Sequence, residues 1–165
     1  MTDIIGCLAC DLTAGRRQPP GGSILRTPHW AVEHCVGPLG VGTLIVKPLR
    51  HVVHIWELTE GEAAELGPLL RRVSSTIAAL LGPDQVYVCL WSHADWTASH
   101  IHFLLQPVWS RQRDEHPRQG PFLQAEMFDG NITPPVEEMA ALAARAREHL
   151  GQAPAPLPSD AWLGA

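Results

Sequence analysis

The stretch His100-Ile-His102-Phe-Leu-Leu-Gln-Pro107 decides how this chain is read. Its apolar residues predict a strand over His100 to Leu105, and side chains two apart in a strand point to the same side of a sheet. One strand would thereby present two imidazoles to one small site. Working backwards, Val86-Tyr-Val-Cys-Leu-Trp91 reads as a strand joined to it through Ser92 to Ser99. Earlier still, His29 to Cys35 alternates in strand fashion, Gly37-Pro-Leu-Gly40 is a turn, and Thr43-Leu-Ile-Val46 is a strand ended by Pro48. These last two are expected to pair antiparallel. Between the two pairs of strands, Thr59-Glu-Gly-Glu62 is a capping box opening a helix whose apolar residues Leu66, Leu70, Val73, Ile77 and Leu80 recur every three to four positions. Gly82-Pro83 stops it, and Pro68 predicts a kink or a late start.

Beyond the histidine strand, Val108 to Asn131 reads as irregular and charged. Thr133-Pro-Pro-Val then starts a second helix with a stripe of Met139, Leu142, Ala146 and Leu150. Gly151 and Ala153-Pro-Ala-Pro-Leu-Pro158 end it. The fold class that follows is α+β: an antiparallel sheet of about five strands, a long packed helix and an extra C-terminal helix. The expected division is one domain over residues 1–133, a helix over 134–151 packed on that same domain, and a proline-rich tail over 152–165. With 165 residues, 45% hydrophobic and 18% charged, the chain suits one compact soluble domain. No apolar stretch is long enough to span a bilayer, and no basic segment precedes an apolar one at the N-terminus, so a cytoplasmic protein with no membrane partner is expected. A net charge of −5 argues against a nucleic-acid partner, because binding a phosphate backbone relies on many Lys and Arg residues. A small anionic ligand needs only a local site.

In a reducing compartment four cysteines point to a metal site or to core packing rather than to disulfides. Cys7 and Cys10, separated by two residues, can reach one tetrahedral ion, but they are only half of a site. Taken alone, the pair leaves zinc, redox chemistry and coincidence open. Further ligands would have to come from the nine histidines, most of which must be bystanders. Cys35 and Cys89, each in an apolar strand, read as buried core thiols. Trp30 and Trp56 read as packing residues, and Lys47 with Arg50 as solvated charges at a strand terminus.

The order Cys7-x-x-Cys10, then Gly42-Thr-Leu-Ile-Val-Lys-Pro-Leu-Arg-His51, then Leu58-Thr-x-x-Glu62, then His100-x-His102 resembles the histidine triad (HIT) family of nucleotide hydrolases and transferases. The similarity runs from about residue 4 to Pro107. In the zinc-carrying branch of that family the resemblance implies Cys7, Cys10, His51 and His100 as ligands of a structural Zn2+. It also implies His102 as the nucleophile that attacks the α-phosphorus of a nucleotide ester, anhydride or amidate, and a homodimer formed through the central strand and long helix. Imidazole suits that attack, being nucleophilic when neutral near pH 7 and able to leave again.

The departures from the family pattern matter as much. The third histidine of the triad would stand at 104, where this chain has Leu104; Asp95 and Trp96 replace a glycine and a glutamine ahead of the triad, while Thr97 keeps a hydroxyl. Thr43 and Val108 stand where the family has a histidine and an arginine. Substitute contacts are expected from Thr97, Ser99, Gln106 and Trp96, since Gln106 lies on the same strand face as His102 and an aromatic such as Trp96 or Trp91 can stack on a purine or sugar. A charge at Asp95 would repel a phosphate unless Arg50, Arg111 or Arg113 compensates. Two functions follow. One is a divergent HIT-type nucleotide phosphohydrolase or nucleotidyltransferase working through a nucleotidyl-His102 intermediate. The other is a catalytically inactive, zinc-stabilised nucleotide or small-ligand binding protein on the same scaffold.

Overall fold

A computed structural model describes residues 4–92, 98–113 and 116–151. Five strands form one antiparallel sheet: β1 (Leu25–Arg26), β2 (Trp30–His34), β3 (Leu44–Pro48), β4 (Gln85–Trp91) and β5 (His102–Val108), in the spatial order β1-β2-β3-β5-β4. Helices α1 (Leu8–Thr13), α2 (Glu60–Leu81), α3 (Pro121–Gly130) and α4 (Val136–Gly151) complete the α+β architecture. The expected pairing of the first two long strands is present, with Glu33 opposite Ile45 and Ala31 opposite Lys47.

Alternation along the strands sorts the side chains onto two faces. One face holds Trp30, Val32, Leu44, Val46, Phe103 and Leu105, and these pack with Leu69, Val73 and Ile77 of α2 and with Ala143, Ala146 and Leu150 of α4. The helix α2 begins where the sequence places it. Thr59 Oγ1 accepts from the Glu62 amide and the Glu62 carboxylate accepts from the Thr59 amide, a reciprocal cap. Pro68 does not delay that start; the helix runs on through it. Pro68 and Ala64 are both exposed, so water can take the carbonyl that loses its helical donor. Gly82 ends α2 in the left-handed region. At Gly42, with φ +96°, an added Cβ would lie 2.4 Å from Leu81 Cδ1, so only glycine lets the hairpin approach the end of α2.

The other face carries Ala31, Glu33, Ile45, Lys47, His102, Leu104 and Gln106, set by the register of Ile45 opposite Leu104. It is flanked by α1, by the loop after β2 and by α3, and is covered less completely than the first. Here the structure corrects the sequence reading. Residues 121–130, expected to be irregular, form α3, with Pro121 at its first turn and Asn131 closing it in the left-handed conformation. Its inward stripe is Leu123, Gln124, Met127 and Phe128, and a glutamine in the stripe hides the apolar period. Strand β5 begins at His102 rather than His100, because Pro48 opposite lacks an amide to extend the ladder. Cys35 is buried as expected, whereas Cys89 is only half-buried. Trp56, expected to pack inside, is 77% exposed and stacks on His54. Among the described residues no helix is long and apolar enough to cross a membrane.

Candidate active site and metal centre

Three separated segments bring four donors together. Cys7 caps the N-terminus of α1, where its Sγ accepts from the Cys10 amide, and so the short helix holds both thiols on one side. His51 follows β3 and His100 precedes β5, adjacent strands that deliver both rings to the thiols. The ligating atoms of Cys7, Cys10, His51 and His100 all lie within 4.8 Å of one another. Cys7 Sγ is 3.4 Å and Cys10 Sγ 3.6 Å from His100 Nδ1, and Cys10 Sγ is 3.4 Å from His51 Nδ1. A tetrahedral ion with bonds of about 2.3 Å to sulfur and about 2.0 to 2.1 Å to nitrogen sets adjacent S and N atoms about 3.6 Å apart. The donor set therefore fits a tetrahedral metal.

The surroundings suit ligation as well. The far nitrogen of His100, Nε2, lies 3.2 Å from the Pro48 carbonyl and donates to it, which leaves Nδ1 as the lone-pair nitrogen. Burial, followed by the neighbouring His51, pushes the His100 pKa down to about 4, against the opposing bond to Pro48. A ring kept neutral is a ring able to coordinate.

His102 opens β5 beside this cluster. Its Nδ1 is 3.0 Å from the His100 carbonyl, and since a carbonyl only accepts, Nδ1 carries the proton and Nε2 the lone pair. His100 and His102 both line a cleft of about 220 Å³. The remaining walls are mainly apolar: Leu8 and Leu12 of α1, Val36 and Leu39 of the loop, Phe128 of α3, and Ile45 and Leu104 of the sheet. Trp91 lies at the edge, its Nε1 donating to Gln124 Oε1 of α3 at 3.1 Å. Leu104, at the third triad position, is buried in a small cluster with Cys35 and Leu39.

The expected contact residues are distributed unevenly. Trp96 and Thr97, with Asp95, lie outside the described residues. Ser99 is half-buried next to Ala98, which lines the cleft. Gln106 is fully buried, and its Nε2 donates to the Leu39 carbonyl at 3.3 Å; it does not line the cleft. Arg50 is engaged elsewhere, with its guanidinium donating to both carboxylate oxygens of Glu62 at 3.1 and 2.8 Å. Arg111 sits over the ring of Trp109, 4.6 Å from its centroid. Lys47 departs most from expectation. Far from being solvated, it is 1% exposed, pairs with Glu33 at 2.7 Å and donates to the Ala9 carbonyl at 3.1 Å. Its place opposite Ala31 on the cleft face explains the burial, because α1 lies across that part of the sheet. Desolvation lowers its pKa while Glu33 pulls the other way.

No protein-family profile and no curated protein matches the chain. Solved structures do. A hypothetical histidine triad nucleotide-binding protein from Sulfolobus tokodaii superimposes with a TM-score of 0.67 at 19% identity, over 88% of this chain and 92% of that one. A Zn-bound histidine triad family protein from Mycobacterium smegmatis gives 0.62 at 17% identity, over 88% and 95%. A Hit-like protein involved in cell-cycle regulation from Bartonella henselae gives 0.65 at 12% identity, over 85% and 93%. The chain thus has the histidine triad fold, with a cluster of two cysteines and two histidines suited to a metal.

Proposed function

We propose that the protein is a divergent nucleotide phosphohydrolase or nucleotidyltransferase with His102 as its nucleophile and Zn2+ held by Cys7, Cys10, His51 and His100. The observation that carries this reading is the bond from His102 Nδ1–H to the His100 carbonyl, which fixes the tautomer whose Nε2 attacks phosphorus. In the first step the Nε2 lone pair forms an N–P bond as the bond from phosphorus to the leaving group breaks. The leaving group departs with that electron pair and takes a proton from water. Water or another acceptor then attacks the same phosphorus, giving up its proton to the hydroxide left by the first step, and the N–P electrons return to Nε2. The metal's role is structural: by holding His100 it holds the carbonyl that orients His102. Zinc is the ion of choice because the donor set is two thiols and two imidazoles, and the Zn-bound Mycobacterium smegmatis neighbour supports it.

Thr97, Ser99, Gln106 and Trp96 are the proposed ligand contacts, with the condition that Gln106 would have to leave its bond to the Leu39 carbonyl. A homodimer is proposed as well, supported by Val88 and Leu90, which expose 45% and 41% of their surface on β4, an edge strand rather than the central strand that the resemblance implied. A cytoplasmic location is proposed too, supported by two thiols placed to hold a metal with His51 and His100.

The second reading, a zinc-stabilised nucleotide or small-ligand binding protein without catalysis, is favoured by Leu104, which donates no hydrogen bond, and by Arg50 being bound to Glu62. One experiment separates the two. The protein and its His102→Ala variant are incubated with adenosine phosphoramidate, dinucleoside polyphosphates and nucleotide sugars, and turnover and a covalent nucleotide adduct are measured. The enzyme reading expects both in the parent and neither in the variant. Tight binding without turnover or adduct on every substrate supports the binding protein instead.

A further inference from the structure

The sheet face that floors the cleft carries two charges that chemistry at His102 does not use. Glu33 of β2 and Lys47 of β3 both line the cleft, are 4% and 1% exposed, and form an ion pair at 2.7 Å. Their neighbours on the same face, Ala31, Ile45 and Leu104, are apolar. Replacing a buried ion pair by apolar residues is often neutral or stabilising, so apart from the bond of Lys47 to the Ala9 carbonyl folding gives little reason for charges here. A ligand does. The Lys47 ammonium has three donors, of which Glu33 and the Ala9 carbonyl take two among the described residues. The Glu33 carboxylate accepts only, and it keeps acceptor positions beyond the one given to Lys47. Side by side in an apolar cleft, the pair presents one donor and one acceptor.

We infer that Glu33 and Lys47 form the specificity-determining element of the cleft, taking the edge of a heterocyclic base that offers a hydrogen-bond donor to Glu33 beside an acceptor for Lys47. The inference deepens the reading above and rests on it for the nucleotide-like nature of the ligand. Apolar walls cover the faces of such a ring, while the pair reads its edge. A ring lacking the donor leaves a carboxylate covered and unmatched, and sites built on a hydrogen bond reject such analogues strongly.

The test is equilibrium binding of free nucleosides to metal-loaded protein by calorimetry. Adenosine is compared with purine riboside, and cytidine with the 2-pyrimidinone riboside, each pair differing only by the exocyclic amine. In at least one pair the amino nucleoside is expected to bind tenfold or more tightly. In the double variant Glu33→Leu/Lys47→Leu, compared at equal metal content, that preference should shrink to about twofold. Equal binding within both pairs, no binding of any nucleoside, or a preference that survives the double variant overturns the inference. Should the double variant not fold, Glu33→Gln serves: loss of the anionic acceptor should reduce the preference, and an unchanged preference counts against the pair. These nucleosides carry no phosphate, so the outcome is independent of His102. An adduct on His102 without amine preference sinks only the specificity element, and amine preference without an adduct sinks only the nucleophile.

Discussion

The two ends of the site are built to different standards. At one end, Cys7, Cys10, His51 and His100 offer four donors that suit a tetrahedral ion, with the far nitrogen of His100 tied to a backbone carbonyl. At the other, His102 is oriented just as firmly, but the next residue on its face is Leu104, and Arg50 is bound to Glu62. The group that would attack is present, while among the described residues donors that would steady a phosphate are sparse. The difference teaches that holding a fold together and stabilising a transition state make separate demands. A metal cluster works only when complete, whereas each oxyanion donor contributes its own factor, about 10² to 10³ in rate.

The largest effect should come from breaking the complete end. Chelation, or Cys10→Ser, is expected to release metal and lower Tm by roughly 10 °C or more, since structural metal binding contributes directly to folding and each kcal/mol moves Tm by about 2 to 4 °C in a domain of this size. Calorimetry with parallel metal analysis checks it, and an unchanged Tm in metal-free protein would remove the structural role. Next in size is the ion pair on the floor of the cleft. Lys47→Met alone leaves the Glu33 carboxylate buried without its partner and should cost about 3 to 5 kcal/mol in urea unfolding, whereas the double apolar variant should lie close to the parent. Equal losses in both would mean that the pair itself, not the orphaned charge, matters to stability.

A smaller change tests the deficient end. Leu104→His restores a donor beside His102, and turnover of adenosine phosphoramidate is expected to rise by up to about 10², with stability lowered by about 1 to 3 kcal/mol for a polar group placed in an apolar cluster. A rise in neither kcat nor adduct yield would separate the reacting end from this chemistry. The smallest effect concerns pH. The bond from Arg50, helped by the Thr59 amide, holds Glu62 at about 2 despite burial. A carboxyl depressed in the folded state stabilises the fold above its unfolded pKa and loses that contribution as pH falls toward 2. Stability should therefore decline between about pH 5 and pH 2, and Glu62→Gln should flatten the decline. Because Arg50 immediately precedes His51, the same variant should loosen the metal end more than the reacting end.

Much of the scaffold was legible because its signals are local. Thr59 and Glu62 mark the start of α2, Gly82 its end, and Met139, Leu142, Ala146 and Leu150 the inward stripe of α4, all as placed in the fold. Helix α3 was not legible. Its inward positions include Gln124, whose Oε1 accepts from Trp91 of another element, and that partner is invisible along the chain. Lys47 failed for a related reason: a lysine beside a strand-ending proline reads as solvated until α1 is folded over it. Trp56 failed in the opposite direction, since stacking on His54 suffices to seat an exposed aromatic.

The sequence by itself determined four of the five strands and the capped helix, because period and caps are properties of neighbours along the chain, and the family resemblance put forward Cys7, Cys10, His51 and His100 as donors and His102 as the reacting group. Only the tertiary structure decided that the thiols and imidazoles converge at bonding distances, that His102 is held by the carbonyl of His100, and that a buried Glu33–Lys47 pair floors the cleft. Those facts depend on strand register and on which helix covers which sheet face. Such contacts join residues far apart in sequence, and no local propensity encodes them.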